Sequence, residues 1–314
     1  MKGNVNTEVN VNHVIKKPRS YSRKRIEVFE GFLFISPVVL GILIFTLWPV
    51  MQSLYFSFTE YNILRPAKWI GLSNYERMIN EPKFWNSLKV TFNYSIFAVP
   101  LGLIVGFFLA LLLKRNVPGV RWFRTIYYLP VVVPVVALGV LWKQLYSPPV
   151  GLANQILNFF GYPSYTWFSH PDSVMPSLII MSLWQAGAAM IIWLAGLEGV
   201  PETLYEAAIV DGASPLRRFW HVTLPLVTPV IFFNLIIGII GALQVFGQVL
   251  VTTNGGPLDA SNFLVVYIYN RAFNALEMGY ASALAWVLFA IVLVFTVFIF
   301  RTSKSWVHYE GEAK

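Results

Sequence analysis

Six apolar runs, near residues 32–58, 88–113, 122–145, 174–197, 224–251 and 281–300, limit what this chain can fold into. About 20 helical residues cross the roughly 30 Å of hydrocarbon in a bilayer, and each run reaches that length. No run carries Lys, Arg, Asp or Glu in its interior. In lipid the backbone must satisfy its own hydrogen bonds, and runs this long are not strands of a soluble core, so all six are predicted to be helices. Composition agrees, with 56% hydrophobic and only 12% charged residues and a mean hydropathy of +0.61. The expected fold is all-α, an integral membrane six-helix bundle. Residues 1–29 are expected to form a basic, partly disordered cytoplasmic leader, 30–302 the transmembrane domain and 303–314 a cytoplasmic tail.

Basic residues set the expected orientation. Seven Lys and Arg lie in the leader, four in the second loop, two in the fourth and three in the tail. The opposite side holds six (Arg65, Lys68, Arg77, Lys83, Lys143 and Arg271), with Lys89 at a span edge. Cytoplasmic loops retain Lys and Arg, so both termini are predicted to be cytoplasmic. The same residues explain a net charge of +8 through contact with anionic headgroups; the other reading is a nucleic-acid-binding tail on a membrane anchor. The first run follows a polar leader and contains Pro37 and Pro49, so it reads as a retained span and not a cleaved signal. Cysteine is absent, which excludes disulfides, thiolate metal sites and a catalytic thiol.

Span interiors without charge argue against a proton-relay antiporter or a charge-coupled symporter, which generally need an intramembrane ionisable group. The sequence has no Gly-Lys dipeptide, hence no phosphate-binding loop of the G-x-x-x-x-G-K-[ST] kind. If ATP drives this protein, another polypeptide hydrolyses it. None of the four histidines (His13, His170, His221, His308) pairs with a carboxylate at ligand or triad spacing, so no catalytic or metal residue is assigned and the chain is not read as an enzyme.

The fourth loop, residues 198–223, is the most strongly punctuated segment. Pro201 and Glu202 open a helix, because proline is tolerated in a first turn and Glu favours the positive end of the helix dipole. Asp211-Gly212 ends it, glycine being free to take the left-handed C-cap conformation. Ser214 then caps a second short helix with Pro215 at its first position, running through Arg217, Arg218 and Trp220. On residue types alone, this helix-turn-helix either serves an outside partner or rests on the headgroups.

Glu206-Ala207-Ala208, then Gly212, then nine residues and Val222-x-Leu224-Pro225 resembles the EAA loop of binding-protein-dependent ABC importer permeases, E-A-A-x3-G-x9-I-x-L-P, with Val222 for Ile as its single departure. Tyr205 to Pro215, Thr253 to Pro257, Trp69 to Tyr75 and Met278 to Leu284 resemble the carbohydrate branch, the permeases for maltose, glycerol phosphate and arabinose oligomers. The resemblance spans about residues 30–302. It implies a type I importer in the cytoplasmic membrane. Two permease subunits, commonly different, would pair with two ATPase subunits, which carry the ATP and Mg, and with one extracytoplasmic solute-binding protein. No cofactor is expected on this chain. The loop would be the coupling element, with Glu206, Ala207, Ala208, Asp211, Gly212 and Arg217 facing the ATPase. Asn254, Gly255, Gly256 and Pro257 would meet the binding protein. The rival from another class is a stand-alone secondary transporter of a neutral solute.

For the substrate path, the resemblance points to the two spans flanking that loop, with Trp184, Gln185 and Ala188 before it and Gly238, Gly241, Ala242, Gln244, Val245 and Gln248 after it. The small residues at 238, 241 and 242 either let helices approach closely in lipid or leave room for substrate. Gln244 and Gln248, four apart, are expected on one helical face, pointing to a cavity or bonding to a neighbouring helix. Cavity walls without charge fit a neutral solute such as a sugar, whose C–H faces stack on aromatic rings. Most of the 16% aromatic content reads instead as interfacial belts, for example Trp48, Trp69, Trp85 and Trp306. Pro100, Pro130 and Pro134 are expected to kink their spans. The loops at 59–87 and 146–173 are either further landing surface or plain connectors.

Overall fold

A computed structural model describes residues 20–115 and 118–308. Backbone contacts divide the chain into two compact units, Met1–Ser53 and Leu54–Lys314. The first unit contains helix α1 (Ser20–Ile42), a π-helical turn (Leu43–Leu47) and the start of α2 (Trp48–Ser57). Helix therefore begins inside the expected leader, at Ser20; residues 1–19 of that leader lie outside the described residues. The π turn has a local cause. Pro49 offers no N–H, and its ring crowds the carbonyl of Phe45 four residues back, so the preceding turn widens and Trp48 N–H bonds to Leu43.

The second unit begins with a feature the all-α expectation omitted. Strands β1 (Thr59–Asn62) and β2 (Arg65–Trp69) form an antiparallel ribbon with Thr59 opposite Trp69 and an irregularity between Glu60 and Asn62. Aromatic side chains at alternate positions stabilise it, Phe58 stacking on Trp69 at 5.5 Å and Phe56 on Tyr61 at 4.5 Å. Asn74 Nδ2 donates to the carbonyls of Ser57 and Thr59, both at 2.9 Å, tying the ribbon to helix α3 (Ser73–Asn80).

Then follow α4 (Pro82–Lys114), α5 (Val120–Val132), α6 (Val135–Leu145), α7 (Leu152–Phe159), α8 (Pro171–Leu183), α9 (Gly187–Glu198), α10 (Glu202–Val210), α11 (Pro215–Arg218), α12 (Leu224–Leu226), α13 (Thr228–Leu243), α14 (Gly247–Thr252), α15 (Leu264–Tyr269) and α16 (Met278–Ser303). Among the described residues, four helices are long and apolar enough to cross a membrane: Arg25–Ser57, Pro82–Lys114, Thr228–Thr252 and Met278–Ser303. Two predicted spans are instead bent pairs, α5 with α6 at 100° and α8 with α9 at 46°; counting each pair as one span gives six. Val133, forced out of the helical region by Pro134 behind it, sits at ψ 127° and makes the first bend. Pro100 lies within α4, which continues unbroken.

The core of this unit forms where α4 meets α9, α13 and α8. Lipid offers no hydrophobic drive between helices, so close packing has to supply it. Gly196 of α9 provides that packing: a Cβ there would stand 2.3 Å from the Val230 side chain of α13. The connection at 146–173 is ordered. Asn154 Oδ1 accepts from Trp167 Nε1 at 2.8 Å and from Tyr165 N–H at 2.9 Å, and Tyr146 stacks on Trp167 at 4.2 Å.

Candidate functional site

Between α4, the α8–α9 break and the α13–α14 break lies a cavity of about 460 Å³. Helix α4 contributes Tyr94, Val99 and Gly102; the first break contributes Ser182, Gln185 and Ala188; α13 contributes Asn234, Gly238, Gly241 and Ala242; and the second break contributes Val245, Phe246 and Gln248. Among the described residues, no Asp, Glu, Lys, Arg or His lines it. Its polar groups are hydroxyls and carboxamides, which can donate and accept at once. Gln248 Nε2 donates to Tyr94 Oη at 3.4 Å, and both side chains are buried. Asn234 Nδ2 donates to the Val230 carbonyl at 3.0 Å.

Both breaks follow from packing. At the first, Gln185 and Ala186 bond back only three residues, to Ser182 and Leu183, and Gly187 lies so close to α5 that a Cβ would fall 2.0 Å from the Tyr127 carbonyl oxygen. At the second, Phe246 takes φ −141° and ψ −73°, and Gly247 packs on Val135. Gln244 therefore caps α13 while Gln248 belongs to α14. The expectation of one helical face through both is corrected: Gln244 is exposed and away from the cavity, and Gln248 lines it. Trp184 is also outside the lining, packed edge-to-face on Trp142. Of the nine sequence candidates the structure brings seven together: Gln185, Ala188, Gly238, Gly241, Ala242, Val245 and Gln248. The small residues divide between their two readings. A Cβ on Gly238 would meet Val99 at 3.2 Å, a helix approach, whereas Gly241 faces open space.

The loop after α9 folds as a helix, a turn and a helix. Gly212, at φ +72°, sends its N–H to Ile209 at 2.9 Å, and Ala213 N–H reaches Ala208 at 2.9 Å, the pair of bonds that closes a Schellman cap. Ser214 Oγ accepts from Arg217 N–H at 3.4 Å. A second π turn, Phe219–Thr223, precedes Pro225 as the first precedes Pro49. Glu206, Ala207, Asp211 and Arg217 are exposed and Ala208 is half-buried. Large apolar side chains are exposed beside them: Ile209, Leu216, Trp220 and Val210, the last at 88%. The inner side is held by Tyr205, whose hydroxyl meets Thr223 Oγ1 at 2.9 Å and whose ring lies 5.4 Å from Lys114 Nζ. Lys114 Nζ also donates to the Leu197 carbonyl at 3.0 Å.

At the other end of α4, Asn254 to Pro257 and the two residues that follow form a reversal, 254–259, in which Asn254 (φ +49°), Gly255 (φ +89°), Leu258 (φ +49°) and Asp259 (φ +59°) are left-handed. Asn254 N–H bonds to Val249 at 2.8 Å, and Asn86 Nδ2 to the Asp259 carbonyl at 3.0 Å. Beside it lies a cluster that sequence reasoning missed. The Glu81 carboxylate accepts from Arg271 and, at 2.7 Å, from Tyr280 Oη, while Arg77 bonds both oxygens of Glu277 at 3.0 and 3.1 Å. Burial alone would raise the Glu81 pKa, but hydrogen bonds from Tyr280 and Tyr267 and the guanidinium groups of Arg271 and Arg77 outweigh it and hold the carboxyl below its ordinary range.

Residues 98–303 match the family model described as binding-protein-dependent transport system inner membrane component. A probable ABC transporter permease protein, YesP, of Bacillus subtilis (strain 168) is 41% identical over 303 residues, covering 95% of this chain and 97% of the relative. The trehalose/maltose transport system permease protein MalF of Thermococcus litoralis is 34% identical over 276 residues, 87% of this chain and 93% of the relative. Among solved structures, a bacterial alginate ABC transporter in complex with an alginate pentasaccharide-bound periplasmic protein superposes with a TM-score of 0.79 at 25% identity, covering 90% of this chain and 96% of the other.

Proposed function

The chain belongs to the binding-protein-dependent transport system inner membrane component family, and from that membership we propose that it is the permease subunit of an ATP-driven importer of a neutral sugar or oligosaccharide. It sits in the cell membrane with six spans, the two bent pairs counting as one span each, and with both termini in the cytoplasm. It forms half of the translocation path and pairs with a second permease, two ATPase subunits that carry ATP and Mg, and an extracytoplasmic binding protein. Glu206, Ala207, Ala208, Asp211, Gly212 and Arg217 face the ATPase, and Asn254, Gly255, Gly256 and Pro257 face the binding protein. The uncharged cavity at Gln185, Gly241 and Gln248 takes the solute.

The observation that carries this reading is the capped helix-turn-helix after α9. It is anchored on one side through Tyr205 and Lys114, and it presents Glu206, Asp211, Arg217 and exposed apolar groups outward with no side-chain ion pair among the described residues. A coupling element needs such an arrangement, fixed to the bundle and open to a partner. Gly212→Pro forbids φ +72° and removes the N–H that bonds to Ile209. The variant is expected to reach the membrane and to lose uptake by more than tenfold while ATP hydrolysis by the assembled importer no longer responds to loaded binding protein. Normal uptake by Gly212→Pro would refute the assignment.

A further inference from the structure

A second pocket, of about 370 Å³, opens beside the 254–259 reversal, at the far end of α4 from the coupling loop. Its walls are chemically unlike the central cavity. Lys83, Asp259, Asn262, Asn270, Arg271 and Asn274 line it, so three carboxamides, two cations and one carboxylate converge there. Its volume is at the lower end of the roughly 300–1,000 Å³ range of small-molecule sites.

These walls are pre-positioned. Arg271 is fixed from behind by Glu81, by Glu277 at 3.2 Å and by Tyr267 Oη at 3.0 Å. Asn274 Nδ2 donates to Asn270 Oδ1 at 2.8 Å. Asn262 Nδ2 donates to Asp259 Oδ1 at 3.2 Å, while the buried Asn262 Oδ1 has no hydrogen-bond partner among the described residues. A buried acceptor without a donor is costly, and a group that supplies one recovers that cost. Lys83, 61% exposed, is 3.9 Å from Asp259 and so only loosely engaged.

We propose that this pocket is a glycosyl-binding site, separate from the central cavity, that takes one neutral hexopyranosyl unit of the solute. Mixed donors and acceptors suit hydroxyl groups, each of which gives one bond and accepts others. The carboxylates of Asp259, Glu81 and Glu277 balance three cations, Lys83, Arg271 and the Arg77 that also pairs with both glutamates, and leave no surplus charge for a free anion. Its place next to the reversal expected to meet the binding protein makes it a resting point between that protein and the central cavity. The identity of the ligand rests on the importer reading; the existence of the site is tested apart from it.

The test uses the full chain with its co-purifying membrane and ATPase partners, freed of solute-binding protein, in lipid nanodiscs and two probes, methyl α-D-glucopyranoside and maltose, read by saturation-transfer NMR. A Gly241→Leu background obstructs the central cavity, because Gly241 lines it and an added Cβ there meets no neighbour within 4 Å. Transfer to either probe is expected to persist in that background and to weaken about tenfold in apparent affinity when Lys83→Ala and Asn274→Ala, at the pocket's exposed margin, are added, since each lost bond contributes a few-fold. Absence of transfer to both probes in Gly241→Leu, or transfer unchanged by the two added substitutions, overturns the proposal. Failure of the importer reading would register separately, as normal uptake by Gly212→Pro.

Discussion

The two ends of α4 handle charge in opposite ways. At its start, Arg77, Glu81, Arg271 and Glu277 pair with one another, and Tyr280 and Tyr267 complete the set. Beyond its last turn, Glu206, Asp211 and Arg217 make no side-chain ion pair among the described residues, and Ile209, Val210 and Trp220 are exposed between them. A cluster that satisfies itself holds elements together. One that leaves its groups unsatisfied on a well-capped scaffold is shaped for a partner that brings the complement.

Arg271→Ala should break this contrast most sharply. It removes the more buried of the two cations that Glu81, 17% exposed at its side chain, and Glu277 share, and leaves them Arg77 alone, 42% exposed. Stripping one partner from a half-buried network costs about 2–3 kcal/mol, so the variant should unfold at visibly lower denaturant concentration in detergent. A shift below about 0.5 kcal/mol would show that the cluster does not hold α3, α15 and α16 together. Glu206→Ala at the other end is the mirror test. Its stability should stay within about 0.5 kcal/mol of the parent, while uptake by the assembled importer falls; an unstable Glu206→Ala would mean that this loop is structural and not the proposed coupling element.

The ends also differ in how far the sequence reveals them. Pro201, Gly212, Ser214 and Pro215 act within a few residues of themselves, so the helix-turn-helix was readable from local cap chemistry. The charged cluster joins Arg77 to Glu277, 200 residues away, and no local pattern announces that. The central cavity lies between these extremes. Its α13 and α9 walls were found, but Tyr94, Val99 and Gly102 of α4 were missed because they read as an ordinary apolar span; Tyr94, a hydroxyl in that span, was the available signal. Pro134 announced one helix break. The breaks at 184–186 and 244–246 depend on where α5 and α6 press, and they leave Gln244 and Trp184 outside the cavity lining.

The next effect is a pH dependence confined to the paired end. Because Glu81 is held below its ordinary value of 4.5, the folded state binds its proton less readily than the unfolded chain does. Its contribution to stability is therefore complete above pH 4.5 and is lost as pH falls below that value through the depressed folded pKa. Glu81→Gln should flatten this acid limb of an unfolding-against-pH profile while leaving the curve between pH 6 and 8 parallel to the parent. An acid limb unchanged in Glu81→Gln would assign the loss to other carboxylates.

The smallest effect expected belongs to the open end and asks whether its scaffold is as firm as its caps suggest. Ser214→Ala removes the acceptor for Arg217 N–H. N-cap serines typically contribute about 1 kcal/mol, but this bond is long at 3.4 Å, and Pro215 already fixes the first helical φ. About 0.5 kcal/mol is therefore expected, too little for a global unfolding experiment. It should appear instead as roughly twofold faster amide exchange at Arg217 and Arg218, with the exchange of Gly212 and Ala213 unchanged, because the Schellman bonds to Ile209 and Ala208 do not involve Ser214. If exchange accelerates through Ala207 to Ala213 as well, the two short helices melt as one unit, and the scaffold offered to a partner is ordered by that partner more than by its own caps.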